Sequence, residues 1–407
     1  MSNTSHASYW PLRFISVEAA SGVVLLLAAA LALLWANSPL GFAYEALWHL
    51  RVPIALGALL PVQDLHFWVN DGLMTVFFLV VGLEVRREMH DGSLSDPRVA
   101  TLPVIAAIGG VLVPALLYLL LNSDPVTRKG WAIPTATDIA FAVGVLSLIG
   151  RGVPGALRML LLTLAIIDDI AAILVIAFFY SGGIALTGLL MVAAGALLVL
   201  ALQWLGARSA LIYIVPGAII WYGMLSAGMH PTLAGVILGL LTPTSVNFGR
   251  KHRTRTPDPG AVAPVVAVEA RLHPWVAFGI MPLFALANAG VSLAGLDLSA
   301  SQPLAVGCGI VLGLVIGKTL GIVLAAFLAV RMKLCTLPDG VRWRHTVLLG
   351  LLGGIGFTMS IFITNLAFTE PVLLSAAKFA VLVGSGAAAG LGFALGKLQP
   401  ATRAAVA

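Results

Sequence analysis

Twelve mostly apolar windows follow one another through the 407-residue chain, near 14–36, 67–85, 99–121, 129–149, 156–180, 183–204, 209–225, 228–242, 271–291, 304–330, 345–368 and 372–396. Nearly all are roughly 17 to 25 residues long, the length a helix needs to cross a bilayer; the eighth is short. No water satisfies backbone groups in hydrocarbon, so a spanning segment must be a helix or a barrel strand, and a strand needs only about 9 to 11 residues. Composition agrees, with 60% hydrophobic and 10% charged residues against roughly 25% charged in soluble domains. The expected fold is an all-α integral membrane protein of 12 transmembrane helices over 14–397, with a cytoplasmic N-terminal segment, 1–13, and a cytoplasmic tail, 398–407. Two long loops interrupt it. Residues 37–66 form an extracytoplasmic loop whose alternating stretches on either side of Gly57 suggest a hairpin. Residues 243–270 form a basic, proline-bearing cytoplasmic connector.

An even number of spans places both termini on one side, and the basic residues say which. Of the 23 Lys and Arg, only Arg51, Arg128 and Lys129 fall in loops on the side away from the termini. The excess on the other side puts both termini in the cytoplasm. The net charge of +6 thus reflects a rim facing anionic lipid and calls for no nucleic acid. Cys308 and Cys335 form no metal or redox motif. The first apolar run is too long for a cleaved secretory signal, and no phosphate-binding loop of the Walker type occurs, so ATP does not drive the protein.

The residues that break the apolar pattern carry the chemistry. Asp168 and Asp169 stand side by side in LLLTLAIIDDIAAILVIAFFY, residues 160–180, with no basic residue among them. A charge at the bilayer centre costs about 2.5 to 3.5 kcal/mol on insertion scales, so the pair needs a partner, a proton or a metal ion. Two cations lie inside windows. Lys378 sits near a window end and reads as snorkelling to the interface. Lys318, deep in GIVLGLVIGKTLGIVLAAF, is the natural counter-charge. Successive helical residues differ in direction by about 100°, so one aspartate pairs with Lys318 while its neighbour faces an aqueous path.

Two windows should break. In the fourth, Pro134 removes a backbone donor, and Thr137 or Asp138 is suited to cap the helix that restarts at Ile139. In the eleventh, Gly353, Gly354 and Gly356 precede hydroxyl residues in GGIGFTMS. Spans three to five and ten to twelve then make two three-helix units with interrupted middle members. Their odd offset gives them opposite entry sides, the pattern of inverted three-helix repeats with two discontinuous helices, spans 4 and 11. Opposed half-helices bring like dipole ends together; Asp138 would offset the N-termini and Lys318 the C-termini. Carboxylate, hydroxyl and carbonyl oxygens suit a small hard cation, and protons compete for the same oxygens. A site that holds either, and alternates between faces, exchanges cation for protons. An intramembrane aspartyl protease using Asp138 with Asp168 or Asp169, and a passive cation channel, are the alternatives. The first lacks its expected Gly-x-Gly-Asp context and leaves Lys318 unexplained; the second needs no buried titrating groups.

The segments TATDIAFAVGVLSL, LAIIDDIAAILVIAFFY, GKTLGI and GIGFTMSIFI, with NDGLMTVFFLVVGLEVRRE, AGMHPTLAGV and LHPWVAFGIMPLFALANAG, resemble the NhaA-type sodium/proton antiporters from about Phe14 to Lys397. Those antiporters are themselves among the transporters that define the inverted-repeat arrangement, so the two readings overlap. The resemblance implies Asp169 as the main cation and proton site and Asp168 as its neighbour, paired with Lys318. It also implies Thr137 and Asp138 as adjacent unwound-chain residues and Asp71 along the ion path. Glu84, Arg87, Glu88, Glu269 and His273 resemble a cytoplasmic cluster linked to pH activation, and His230 a histidine affecting the pH profile. Read alone, Glu84 to Glu88 are the charged end of a helix, and His230 and Asp71 are capping residues. The family implies a transporter rather than an enzyme, with no cofactor. It would move Na⁺ or Li⁺ outward against more than one inward H⁺ per ion, as a homodimer in the bacterial inner membrane.

Overall fold

The computed structural model describes residues 10–52, 62–150, 153–183, 185–207, 209–245, 262–293 and 300–398, with side chains from residue 20 onward. The hairpin turn expected at Gly57, most of the 243–270 connector, the N-terminal segment through residue 9 and the tail beyond residue 398 lie outside the described residues.

The chain is mostly helical. In order it forms α1 (Trp10–Ala36), α2 (Gly41–Trp48), the strands β1 (Arg51–Val52) and β2 (Gln63–Asp64), then α3 (Leu65–Asp91) and α4 (Pro97–Leu121). A 3₁₀ helix (Thr127–Thr135) leads into α5 (Ile139–Ile149), followed by α6 (Gly155–Phe179), α7 (Leu186–Trp204), α8 (Ala210–Ala227) and α9 (Leu233–Leu241). Next come α10 (Pro264–Asn288), α11 (Ser301–Arg331), α12 (Trp343–Gly353), α13 (Phe357–Ala367) and α14 (Pro371–Lys397). The strands pair antiparallel with Arg51 opposite Asp64, which gives the loop between α2 and α3 a two-stranded base. Asp64, rather than Asp71, caps α3, accepting from Phe67 N at 2.8 Å.

Among the described residues eight helices are long and apolar enough to cross a membrane, and up to eleven spans result if each of three bent pairs counts once. The eighth window is the weakest. Gly228 adopts φ 76° and ends α8 in a left-handed cap, and with Pro231 following, α9 restarts late and is only nine residues long. After the first window, α2 follows α1 through a 116° bend inside the segment expected as a loop, where Asn37, Ser38 and Pro39 stand.

Two compact units divide the chain: one runs to Glu45, resumes over Pro97–Ala172 and continues from Ala285; the other joins Ala46–Asp96 to Ile173–Phe284. In the first unit α4 packs on α11 and α13 on the 3₁₀ helix. Leu102, Leu146, Leu157, Leu161, Ile322 and Leu352 belong to its core. In the second, α3 packs on α9 and α10, and α7 on α8.

Both expected breaks are present. The 3₁₀ helix and α5 meet at 44°, and α12 and α13 at 46°. Pro134 lies in the 3₁₀ turn, after which Asp138 takes an extended conformation as N-cap of α5. At the other break Gly356 is required by space. A Cβ there would lie 2.1 Å from Ser360 Oγ, 2.9 Å from Leu314 Cδ2 and 3.1 Å from Ala136 O.

Candidate ion-binding site

The two breaks meet inside the first unit. Asp138 N donates to Ile355 O at 2.7 Å, tying one interruption to the other. The Asp138 carboxylate then serves two helices. Its Oδ1 accepts from Phe141 N of α5 at 3.1 Å, and its Oδ2 accepts from Thr358 N of α13 at 3.1 Å and from the Thr358 hydroxyl. The first N–H groups of any helix lack intrahelical acceptors, and one anion here supplies both N-termini. It also sits where two helix dipoles place partial positive charge.

The carbonyl ends are met by donors. Lys318 Nζ donates to Thr135 O at the end of the 3₁₀ helix. Thr137 Oγ1 lies 2.7 Å from Gly353 O at the end of α12 and 2.7 Å from Asp168 Oδ2. A hydroxyl has one proton, so Thr137 donates to only one of these oxygens at a time. Ser360 Oγ completes the seam by donating to Ile133 O at 2.7 Å.

The geometry answers which aspartate takes the lysine. Lys318 Nζ lies 2.7 Å from Asp168 Oδ2, with both side chains fully buried. Asp168 Oδ1 has no hydrogen-bond partner among the described residues. Asp169, next along α6, is 3% exposed. Lys318 follows directly on a π-helical turn of α11 over Gly313–Gly317. A Cβ on Gly317 would lie 2.8 Å from Pro114 Cα, so the glycine lets α11 lie directly on α4.

The remaining candidates gather in the second unit. Asp71 lies in a π-helical turn of α3, Trp68–Leu73, whose freed Asp71 carbonyl accepts from Trp221 Nε1 at 3.0 Å and from Thr75 Oγ1 at 2.5 Å. Its carboxylate Oδ1 is 3.5 Å from His230 Nε2, and His230 Nδ1 is 2.9 Å from Thr232 Oγ1. Farther along α3, Arg87 Nε donates to Glu269 Oε2 of α10 at 2.9 Å; Arg87 is 3.6 Å from Glu88 and 4.0 Å from Glu84. His273 stands one turn beyond Glu269 on α10. Asp71 with His230, and Glu84, Arg87 and Glu88 with Glu269, are thus brought together as two groups.

Sequence reasoning missed Ser385, and it noted the hydroxyls after Gly356 and the backbone oxygens of 134–137 without singling out Thr358, Ser360 or Thr135. Ser385 had no local signal at all, being one serine in a stripe of small residues. Among the described residues no cluster of three or more His, Cys, Asp or Glu is placed to hold a metal ion.

Long apolar helices with carboxylates and a lysine buried at meeting helix breaks define a class, the multi-pass secondary transporters. The model of the Na⁺/H⁺ antiporter 1 family matches residues 12–395, and the chain belongs to that family. It is 53% identical to the Na⁺/H⁺ antiporter NhaA of Janthinobacterium sp. (strain Marseille), over 95% of this chain and 92% of that protein. With the Na⁺/H⁺ antiporter NhaA of Acidovorax sp. (strain JS42) it shares 57% identity, over 94% and 91%. A solved structure of the sodium proton antiporter MjNhaP1 from Methanocaldococcus jannaschii has a similar fold, with TM-score 0.52 and 12% identity over 95% of this chain and 98% of that one. The protein is therefore a transporter rather than an enzyme, and the aspartyl-protease alternative falls.

Proposed function

We propose that this Na⁺/H⁺ antiporter carries Na⁺, or Li⁺, out of the cytoplasm at the Asp168–Asp169 pair in exchange for external protons, by alternating access. The observation that carries the reading is the division of labour in the pair. Asp168 lies against Lys318 at 2.7 Å, and to Asp169, buried beside it on α6, we assign the charge that a transported cation or a proton neutralises. Hydroxyl and carbonyl oxygens at 134–137 would complete a hard-cation shell, in keeping with the oxygen preference of such ions. Asp138 and Lys318 would fix the facing helix ends and so the position of that shell. Because cation and protons compete, acidification closes the cycle. More than one proton per Na⁺ makes it electrogenic, worth about 2.3 kcal/mol per net charge per 100 mV.

Twelve spans in inverted repeats, cytoplasmic termini in a bacterial inner membrane and a homodimer in contact with lipid belong to the same reading. Asp71 and His230 would border the ion path or tune its pH profile. The Arg87 cluster, with Glu84, Glu88, Glu269 and His273, would couple cytoplasmic pH to activity. Proteoliposomes with an imposed pH gradient supply the test. Adding Na⁺ or Li⁺ should dissipate the gradient, and Asp169→Asn should abolish that response at normal protein levels. Retained exchange in that variant would remove Asp169 from its central role.

A further inference from the structure

The α13 N-terminus is capped entirely from outside its own segment. Its N-cap residue, Gly356, has no side chain and admits none, since a Cβ would meet Ser360 Oγ, Leu314 and Ala136 O. Two N–H groups at this end therefore take acceptors from other helices. Thr358 N goes to Asp138 Oδ2, as described, and Phe357 N donates to Ser385 Oγ of α14 at 3.0 Å. Ser385 is 1% exposed, so no solvent substitutes for it. The residues around it on the buried face of α14, Ala380, Val381, Gly384, Ala388 and Ala389, carry no polar side chain.

We infer that Ser385 is a positioning residue for cation binding: its hydroxyl holds the α13 N-terminus against Asp138 and supplies negative dipole density where the two half-helix N-termini converge. Without it, Phe357 N–H is a buried donor whose partial positive charge is left uncompensated. The vacated donor then competes with Thr358 and Phe141 for the one carboxylate, Asp138, that also bonds the opposing break. The site loses both its geometry and part of the negative potential that attracts a cation. This inference rests on the reading of Asp168 and Asp169 as the exchange site, because its consequence is read in cation affinity.

The test is the apparent KM for Na⁺ in proteoliposomes of the full chain. Ser385→Ala keeps the volume and removes the acceptor; its KM should rise about three- to tenfold while Vmax stays within about twofold. Ser385→Thr, which restores the hydroxyl, should return KM to within about twofold of the unsubstituted protein. Ser385→Cys, a poorer acceptor of similar size, should fall between and serves if the alanine variant does not accumulate. An unchanged KM in the alanine or cysteine variant, whatever happens to thermal stability, overturns the inference, since a merely structural serine would lower stability alone. Asp169→Asn separates the two levels. If it retains exchange, the site reading fails; if it abolishes exchange while Ser385→Ala keeps a normal KM, only the role of Ser385 fails.

Discussion

Lys318 and Arg87 are each one cation set among carboxylates, and they solve the problem differently. Lys318 is fully buried and, among the described residues, meets a single carboxylate, Asp168, with the Thr135 carbonyl as a second acceptor. Arg87 keeps a quarter of its side chain exposed and is approached by three carboxylates, only Glu269 within hydrogen-bonding distance. Where water is excluded, an unpaired charge costs several kcal/mol, so charges come in pairs and dipoles do the rest. Where water reaches, excess negative charge is screened and tolerated. The buried group also holds a second carboxylate of the pair, Asp169, beside the one ammonium of Lys318 among the described residues. That imbalance is what a transported cation would correct.

The largest effect that would break this comparison is removal of the lysine. Lys318→Ala leaves Asp168 buried without its counter-charge, a loss of about 3 to 5 kcal/mol for pairs of this kind. Thermal unfolding in detergent should show a large drop, and the double variant Lys318→Ala with Asp168→Asn should recover most of it. A drop no larger than that of Arg87→Ala would mean that burial does not distinguish the two groups.

Next in size is the pH dependence of cation affinity, which should belong to the buried group alone. A carboxylate must lose its proton to bind a metal ion, so on the acid limb the apparent KM for Na⁺ should rise about tenfold per pH unit for each competing proton. Vmax at saturating Na⁺ should change much less. A flat KM across that limb would separate proton and cation sites. The same slope in an Arg87→Gln variant would keep the competition where the aspartates are.

Much of the buried group was legible because each member violates its surroundings. Asp168, Asp169 and Lys318 are charges in apolar runs, and Pro134 and the glycines of GGIGFTMS are helix breakers in helical windows; a bilayer makes such violations costly and therefore informative. Asp138 could be read as a cap because the cap is local to α5. Its second service, to Thr358, could not, since that partner is 220 residues away. Ser385 was invisible for the same reason and because serine breaks no rule in a helix of small residues. The pairing choice between the aspartates depends on the rotation of α6 against α11, which no local pattern encodes. At the half-buried Arg87 group the signal was weaker still: Glu84 to Glu88 look like any charged helix end until Glu269 arrives from α10. The shortness of α9 was foreshadowed by Gly228 and Pro231 and the sharp turn before α2 by Asn37, Ser38 and Pro39, whereas the short helix α2 itself, inside the segment read as a loop, was not.

The smallest effects should come from within the Arg87 group, and they sharpen the comparison by their order. Glu269 is 3% exposed and bonds Arg87 at 2.9 Å, whereas Glu84 stands 4.0 Å away at i,i+3 on the same helix. Glu269→Gln should cost about 1 to 2 kcal/mol, as a charge-assisted bond weakened to a neutral one. Glu84→Gln should cost under about 0.5 kcal/mol, the range of helix-surface ion pairs. Raising salt should erase most of the Glu84 difference and little of the Glu269 difference, since screening acts on exposed pairs first. If the group couples pH to activity, Glu269→Gln should also displace the pH profile of exchange while leaving the saturating rate intact. Equal and salt-insensitive costs for the two glutamates would show that water reaches neither side of the Arg87 group in the working protein, and the contrast with Lys318 would then rest on the number of carboxylates rather than on water.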